Sequence, residues 1–381
     1  MFKHLDAFLV GYYGMQNCGD DALLLATHFG ARKHLQCNKI AVSSMRDIKL
    51  CDDLQIAKTL RKTQNWRGQN RVIQYRHALA SKRVIFGGGS VFHNATDINQ
   101  KRHLIKLAGQ KRSQALGVSL GPFKDTQAEQ ACAKFLREVG FVAVRDQQSY
   151  DIAKAITPDC NVKLSFDLAV SLCKHPQFKV NQGPRQGILF NVCPVAKDAF
   201  GNTDPFEEEQ RARDLSQVIE ALWRRTGERI TLINFNGHAQ LGDGQLTKLI
   251  CEQLRGRVPV STIPYNSNPL KVMQVISHFK VMVSMRLHGN VFAYMSKTPS
   301  IALNYHPKCE QWCEQIGLPQ AMRFDINQFS KRGLFNAIEQ GLETGFPMAQ
   351  LPVETATERS EANWSKQDEQ PKFFSRHPAL Q

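Results

Sequence analysis

The feature that most constrains this chain is an alternation of short apolar segments with longer amphipathic ones. Predicted strands in the first half cover 6–11, 39–43, 83–86, 114–119 and 141–144, with helix-length segments between them that include 20–35 and 127–139. The second half repeats the order, with strands at 187–192, 229–235, 258–263, 279–284 and 299–304, and helices at 206–226, 243–255, 268–278 and 289–297. Such an alternation predicts an α/β fold with parallel sheets.

The length of 381 residues suits two domains rather than one. The segment 175–187, rich in Pro, Gly and Gln, has the composition of a linker. We therefore predict two Rossmann-like domains that face each other across a cleft, residues 1–174 and 188–347. The chain turns polar after residue 347, so residues 348–381 are predicted to form a flexible tail.

The net charge of +15 indicates an anionic partner, which could be nucleic acid, a lipid surface or a small substrate. The most basic stretch, 58–83, carries Trp66 and Tyr75 among its cations. A solvated helical face is the simpler interpretation of this stretch, so no nucleic-acid partner is expected. Peripheral contact with an anionic membrane is left open.

Two features favour a cytoplasmic location. No apolar run reaches the roughly 18 residues of a membrane span, and the first residues do not read as a signal peptide. The ten cysteines are scattered without a C-x-x-C pair, as expected of reduced thiols. We predict a cytoplasmic protein that holds no metal, and the inner face of the plasma membrane is left open as its place there.

Glycine-rich loops follow two of the predicted strands. The first strand runs into GYYGMQNCGDDALLLA, where Asp20 sits near a helix start and could either cap the helix or act in a site. The third strand ends in FGGGSVFHN. Gly88 and Gly89 would let the backbone approach a ligand, and His93 and Asn94 could reach the cleft.

Charged residues follow the other strands. Arg145 stands at the end of the fifth strand and could bind an anion or form a surface ion pair. Asp167 interrupts an apolar segment and needs a partner, for which Arg145 and a substrate hydroxyl are both candidates. In SMRLHGNVFAYM, Arg286 supplies a fork suited to carboxylate or phosphate, and His288 begins a helix. Lys308 follows the next strand. Because parallel strands end at one edge, these cations predict a site for a small, densely charged anion.

Taken together, these motifs resemble the polysaccharide pyruvyl transferase family over residues 8 to 318. Members of that family are similar to glycosyltransferases with two Rossmann-like domains, and they move the pyruvate unit of phosphoenolpyruvate onto a sugar as a cyclic ketal. The resemblance implies that Arg145, Arg286, Leu287 and His288 bind phosphoenolpyruvate. It matches Lys308, Asp20 and Asp167 to the family's lysine and two acidic residues.

The reaction implied by the resemblance needs anion binding, an acid and a base, and no redox cofactor. We therefore assign Arg145, Arg286 and Lys308 to the donor's anionic groups, with His288 holding the phosphate and supplying a proton. Asp20 or Asp167 would accept the proton of the sugar hydroxyl. The partners expected are phosphoenolpyruvate and a saccharide acceptor of a surface polysaccharide, which could be lipid-linked.

Two other interpretations remain open. A glycosyltransferase that uses a nucleotide sugar would have the same fold, and it would need an acidic residue in the second domain for the ribose; only Asp243 stands out there. A non-enzymatic binding module would use the basic stretch 58–83. The sequence does not fix the oligomeric state.

Overall fold

The computed structural model describes residues 4–46, 66–195 and 203–365, which contain two parallel six-stranded sheets. The first sheet has the order β2-β1-β3-β4-β5-β6. Its strands are β1 (Ala7–Val10), β2 (Ile40–Val42), β3 (Val84–Phe92), β4 (Gln114–Leu120), β5 (Phe141–Val144) and β6 (Val162–Leu164). The second sheet has the order β12-β11-β10-β7-β8-β9. Its strands are β7 (Ile188–Asn191), β8 (Ile230–Ile233), β9 (Val260–Ile263), β10 (Val281–Ser284), β11 (Ser300–Asn304) and β12 (Arg323–Asp325).

Helices connect these strands and cover the sheets. Those of the first domain are α1 (Cys18–Leu35), α2 (Gln69–Ala80), α3 (Ala95–Ala108), α4 (Thr126–Glu138) and α5 (Gln147–Ile156). The later ones are α6 (Pro205–Thr226), α7 (Gly244–Leu254), α8 (Pro269–Ile276), α9 (Leu287–Met295), α10 (Pro307–Gln315), α11 (Lys331–Thr344) and α12 (Val353–Glu361). The two parallel sheets confirm the predicted fold class. No helix in the described part of the chain combines the length and the apolar character that crossing a membrane requires.

The central strands are apolar and wholly buried, as in a parallel sheet covered on both faces. The four-residue strands AFLV (β1), FVAV (β5), ILFN (β7) and VMVS (β10) contain no exposed position. Their short, uninterrupted apolar runs are what made them predictable from sequence. In contrast, β6 and β12 have three residues each and are only partly buried, which explains why the strand prediction missed them.

The glycine-rich segment after Phe86 corrects one boundary. We predicted that the third strand ends at residue 86, whereas β3 continues through the glycines to Phe92. Gly88 and Gly89 have positive φ angles of 72° and 82°, and the pairing with β4 shifts register at Ser90. Glycine tolerates these backbone angles, so the strand bends without ending.

The two domains meet at the start of α1. The amide of Cys18 donates to the carbonyl of Phe235 at 2.9 Å, and the amide of Gly237 donates to that of Gln16 at 2.8 Å. In the first turn of α1, the Asp21 carboxylate accepts a hydrogen bond of 2.5 Å from the Tyr265 hydroxyl. This end of α1 is therefore fixed by the loops after β8 and β9.

The prediction of a flexible tail after residue 347 is wrong for residues 348–365, which form ordered elements. Within this segment, α12 and the 3-10 turn Ala362–Trp364 pack against the first domain. Ser360 Oγ donates to the carbonyl of Asp167 at 2.8 Å, and Asn363 Nδ2 donates to that of Phe166 at 3.0 Å. The polar composition of this segment predicted a solvated tail, but some of its polar side chains pair with buried backbone groups instead of facing water. Residues 366–381 lie outside the described part.

Candidate active site

A cavity of about 780 Å³ lies where the carboxyl ends of the two sheets face each other. Each sheet has a point where the strand order changes direction, between β1 and β3 in the first and between β7 and β10 in the second. Ligands of open parallel sheets bind in the crevice at such points. The loops after β1, β3 and β10 all line the cavity, so both crevices open into one space.

Three cations predicted from the sequence converge on this cavity. Arg145 follows β5, Arg286 follows β10, and Lys308 lies in the first turn of α10, after β11. Leu287 and His288, at the start of α9, also line it, and so does Asp20 of α1. Asp167 is not among the lining residues and is only 2% exposed. The first and second domains thus supply charged groups to a single site.

The Arg145 guanidinium is held by two groups of the first domain, the buried Asp167 and Ser90 of the cavity wall. Its Nη1 donates to Asp167 Oδ2 at 3.2 Å, and its Nη2 lies 3.5 Å from Ser90 Oγ. Asp167 Oδ1 accepts the amide of Ala169 at 3.0 Å and so caps a 3-10 turn. The partner of the buried Asp167, left open by the sequence, is therefore Arg145. We see Asp167 as a positioning residue for the arginine.

Arg286 has a buried carboxylate of its own. Its Nε and Nη2 donate to Asp243 Oδ1 at 2.7 and 2.6 Å. Asp243 is fully buried, and its Oδ2 accepts the amides of Phe235 and Asn236 at 2.7 and 3.1 Å. Asn191 also donates to Oδ2, at 3.2 Å. Both oxygens of Asp243 are therefore engaged, and the orientation of the Arg286 fork is set from behind. From the sequence, Asp243 was a candidate to bind a ribose, whereas in the structure it orients Arg286.

His288 is packed against the start of α1. A Cβ atom at Gly19 would lie 2.2 Å from its Nδ1, so only a glycine at position 19 leaves room for the ring. Burial lowers the pKa of His288 to about 4, although Asp167 opposes that shift; the two side chains are 3.9 Å apart at Nε2 and Oδ2. The imidazole is therefore neutral at pH 7, and its Nε2 is buried without a hydrogen-bond partner in the described part of the chain.

Lys308 and Asp20 belong to different domains and interact electrostatically, each affecting the pKa of the other. Burial lowers the pKa of Lys308, and the neighbouring Arg145 lowers it further. Burial raises the pKa of Asp20 to about 7, while Lys308, Arg286 and Arg145 pull it down. Asp20 therefore exchanges its proton near neutral pH, which is the property of a general acid or base. The N-cap of α1 is Asn17, which accepts the amide of Gly19 at 3.1 Å, so capping does not explain Asp20.

The loop candidates of the first domain divide into two groups. Gly89, His93 and Asn94 line the cavity, whereas Gly88 does not. Gly88 lies against the Leu23 side chain, which a Cβ at this position would meet at 2.4 Å. Gly88 thus serves the close packing of β3 on α1. Asn94 caps α3 by accepting the amide of Asp97 at 2.8 Å.

A group of polar residues on the wall that the first domain contributes to the cavity was not predicted from the sequence. Gln100 Nε2 donates to Gln74 Oε1 at 2.5 Å, and Gln74 Nε2 donates to Ser43 Oγ at 2.7 Å. Asp97 and Lys101 form an ion pair beside them. All five line the cavity. Amphipathic helices present such residues routinely, so no sequence signal distinguished them. Across the described residues, no group of three or more His, Cys, Asp or Glu side chains is placed to hold a metal ion.

A comparison with protein families gives one match. The family described as Polysaccharide pyruvyl transferase matches residues 17–307, which is more than half of the chain. The matched range contains Asp20, Arg145, Asp167, Arg286 and His288, and it ends one residue before Lys308.

Solved structures with the same two-domain architecture share little sequence with this chain. The UDP-GlcNAc 2-epimerase from Methanocaldococcus jannaschii has a TM-score of 0.59 at 10% identity, covering 93% of this chain and 97% of that one. An Anabaena protein in complex with UDP and glucose has a TM-score of 0.53 at 12% identity, covering 95% of both. The Neisseria meningitidis UDP-GlcNAc 2-epimerase bound to UDP-GlcNAc has a TM-score of 0.53 at 11% identity, covering 93% of both. At these identities the likeness establishes the fold, which is that of two-domain glycosyltransferases and epimerases.

Proposed function

Since the chain belongs to the polysaccharide pyruvyl transferase family, we propose that it moves the pyruvate unit of phosphoenolpyruvate onto a sugar. The acceptor is a saccharide of a surface polysaccharide or its lipid-linked precursor. The product is a cyclic ketal across two hydroxyl groups, and phosphate is released. The reaction involves no net oxidation or reduction, so it requires no redox cofactor.

The observation that carries this proposal is the convergence of Arg145, Arg286 and Lys308 on one cavity. Phosphoenolpyruvate carries its carboxylate and its phosphate on the same carbon, C2, so its binding site needs more than one cation at close range. The two guanidinium groups are suited to planar or bidentate recognition, and the lysine supplies a point charge. His288 lines the same cavity and adds an imidazole that can exchange a proton with the donor.

The proton balance of the reaction fits the titration of Asp20. A proton adds to C3, and the first sugar hydroxyl forms a bond to C2 while it gives up its proton. The C2–O bond to phosphate then breaks, and the second hydroxyl attacks C2 and closes the ketal. One hydroxyl proton is thus balanced by C3 and the other by the departing phosphate. With a pKa near 7, Asp20 can accept a hydroxyl proton and return it.

The two carboxylates considered as bases have different surroundings. Asp20 lines the cavity, whereas Asp167 is buried behind Arg145. We therefore assign the base to Asp20. We keep Asp167 as the group that orients Arg145 and lies near His288.

The neutral state of His288 refines its role. An imidazole with a pKa near 4 carries no proton to give at pH 7 until an anion binds beside it. A bound phosphate stabilises the imidazolium and so raises that pKa. We propose that His288 becomes protonated only with the donor in place and then delivers the proton to C3 or to the leaving phosphate.

The nucleotide-sugar alternative loses its strongest candidate residue. A ribose would need an accessible carboxylate in the second domain, and Asp243 was the residue that stood out in the sequence. Asp243 is fully buried and already accepts from Arg286, two backbone amides and Asn191. Pyruvyl transfer is therefore the function we favour.

A thermal-shift titration with phosphoenolpyruvate tests the donor assignment. A ligand that binds only the folded state raises the melting temperature as its concentration rises. We expect a rise in the wild-type protein that Arg286→Ala loses and that Arg332→Ala, which removes an exposed arginine of the same domain, retains. A shift with a nucleotide sugar but none with phosphoenolpyruvate would reject the proposal.

A further inference from the structure

The outer side of α2 exposes apolar side chains that the site does not use. Val72 and Leu79 are 43% and 39% exposed, and Trp66, just before the helix, is 51% exposed. Seven residues make almost two helical turns, so Val72 and Leu79 lie on the same face. Large apolar side chains that are exposed on one helix face indicate an interaction surface more often than isolated ones do.

Arginines frame this apolar strip. Arg71 and Arg76 are exposed and lie to either side of the line from Val72 to Leu79, and Arg67 lies next to Trp66. We call these six residues the α2 surface: Trp66, Arg67, Arg71, Val72, Arg76 and Leu79.

The charge of the α2 surface is uncompensated in the part of the chain that the structure describes. Arg67, Arg71 and Arg76 make no ion pair there, and residues 66–83 contain no Asp or Glu. Lys82 is different, because it pairs with Asp6 at 2.8 Å and so adds no free charge. Three cations therefore surround an apolar strip without an acidic neighbour on the helix.

We propose that the α2 surface binds the face of an anionic lipid bilayer. An interfacial helix places apolar side chains at the level of the acyl chains, and it keeps its arginines among anionic headgroups. Tryptophan is the residue most suited to that boundary. A nucleic acid would take the cations but leave Val72 and Leu79 in water. A second copy of the chain would bring like charges together around the strip.

The position of α2 relates this surface to the cavity. Gln74, on the opposite, buried side of the same helix, lines the cavity. A helix with its side chains is roughly 10–12 Å across, so the bilayer would lie about one helix diameter from the cavity wall. A lipid-linked acceptor would then reach the site from the membrane. This last step rests on the proposed function, whereas membrane binding itself does not.

Vesicle co-sedimentation tests the proposal without reference to activity. The full-length protein is mixed with vesicles of phosphatidylcholine alone, or with vesicles of equal parts phosphatidylcholine and phosphatidylglycerol. We expect binding to the mixed vesicles only, weakened by added salt. The triple variant Trp66→Ser, Val72→Ser, Leu79→Ser should bind at least about tenfold more weakly. Arg71→Gln with Arg76→Gln should lose about fivefold for each arginine.

Matched exposed sites elsewhere serve as controls. Phe206 and Leu241, in the second domain, are 70% and 50% exposed, so Phe206→Ser with Leu241→Ser should leave binding unchanged. All the altered positions are exposed, and melting temperatures will establish that each variant is folded.

Four results would overturn the proposal. They are no binding to the mixed vesicles, equal binding to both vesicle types, binding that survives the triple serine change, and a dimer that the triple change abolishes. The last would make the α2 surface a subunit interface. If vesicles bind while a nucleotide sugar, and not phosphoenolpyruvate, causes a thermal shift, the membrane proposal stands and the proposed function fails.

Discussion

Each of the two arginines of the site faces the cavity and has a buried carboxylate behind it. Asp167 stands behind Arg145, and Asp243 stands behind Arg286. Asp167 also accepts one backbone amide and Asp243 accepts two, which fixes each carboxylate independently of its arginine. A buried carboxylate anchored in this way restricts the arginine's rotamers, so the fork is already oriented when an anion arrives.

Changing Asp243 to Asn should weaken the donor's binding and also lower stability, because all partners of this buried carboxylate are donors and an amide NH2 group would leave at least one of them unpaired. The amide keeps the shape but removes the charge that orients Arg286, and we expect the dissociation constant for phosphoenolpyruvate to rise about tenfold or more. Thermal-shift titration measures it. Asp325→Asn, an exposed change at the end of β12, is the control and should leave affinity unchanged. An unaltered affinity in Asp243→Asn would remove the positioning role.

The protonation of Asp20 should affect the pH dependence of kcat/KM. Its pKa near 7 in the ligand-free protein means that the base form becomes populated as pH rises through about 7. We expect kcat/KM to rise over that range, and Asp20→Asn to lose about a hundredfold in rate. The donor phosphate itself titrates at roughly pH 6, so the affinity for phosphoenolpyruvate must be measured across the same range. A rate that is unchanged in Asp20→Asn would exclude Asp20 as the base.

The raised pKa of Asp20 also makes the free energy of unfolding depend on pH. The pKa of Asp20 is raised from 3.8 to about 7 on folding, so the folded state holds the proton more tightly than the unfolded state. Stability from this group is fully present below pH 4 and is lost as pH rises towards 7. Asp20→Asn should be more stable than the wild type at pH 8, and this difference should shrink at pH 5.

At the scale of elements, α1 connects the two halves of the site. Its N-terminus carries Asp20 into the cavity, and Gly19 leaves room for His288 of α9. The adjoining backbone is fixed by hydrogen bonds to the loop after β8. Small movements of this helix would therefore shift a carboxylate and an imidazole together.

Replacing Gly19 with Ala tests this arrangement. The added Cβ would lie 2.2 Å from His288 Nδ1, so the ring must move. Because a displacement of about 1 Å can cost a hundredfold in rate, we expect a loss of that order in pyruvyl transfer. Gly244→Ala is the matched control, since that glycine is exposed at the start of α7 and its nearest neighbouring atom is 3.8 Å away. Full activity in Gly19→Ala would show that the position of His288 is not critical.

At the scale of the whole molecule, the segment from residue 348 to 365 joins the domains. Tyr294 of α9 donates to the carbonyl of Leu351 at 2.9 Å, and Asn363 holds the carbonyl of Phe166 in the first domain. Trp364 is 6% exposed and stacks on His34 at 5.6 Å between ring centres. This segment therefore contributes to the core of the first domain although it follows the second in sequence.

We expect Trp364→Ala to destabilise the protein by about 3–5 kcal/mol, as is usual for a buried aromatic side chain. The ring lies directly over Gly30, so its loss would leave a cavity against α1. Thermal and denaturant unfolding will measure the change. Met348→Ala, at a 48% exposed position of the same segment, should alter stability by less than about 0.5 kcal/mol. Equal stability of the two variants would mean that the segment is only loosely attached.

The sequence by itself determined the two parallel sheets and the positions of the polar groups that follow their strands. Short apolar runs are a local signal, and a parallel sheet brings the ends of its strands to one edge, so convergence on one cleft followed from topology alone. The resemblance of its motifs also indicated the family.

Tertiary structure alone decided which carboxylates are buried and which face the cavity. Of Asp20, Asp167 and Asp243, only Asp20 lines the cavity. The sequence offered Arg145 as one candidate partner of Asp167, but the pairing of Asp243 with Arg286 joins loops 43 residues apart and no local pattern predicts it. The docking of residues 348–365 was missed for the same reason. Burial depends on contacts between segments far apart in the chain, and composition cannot reveal where a polar residue finds its partner.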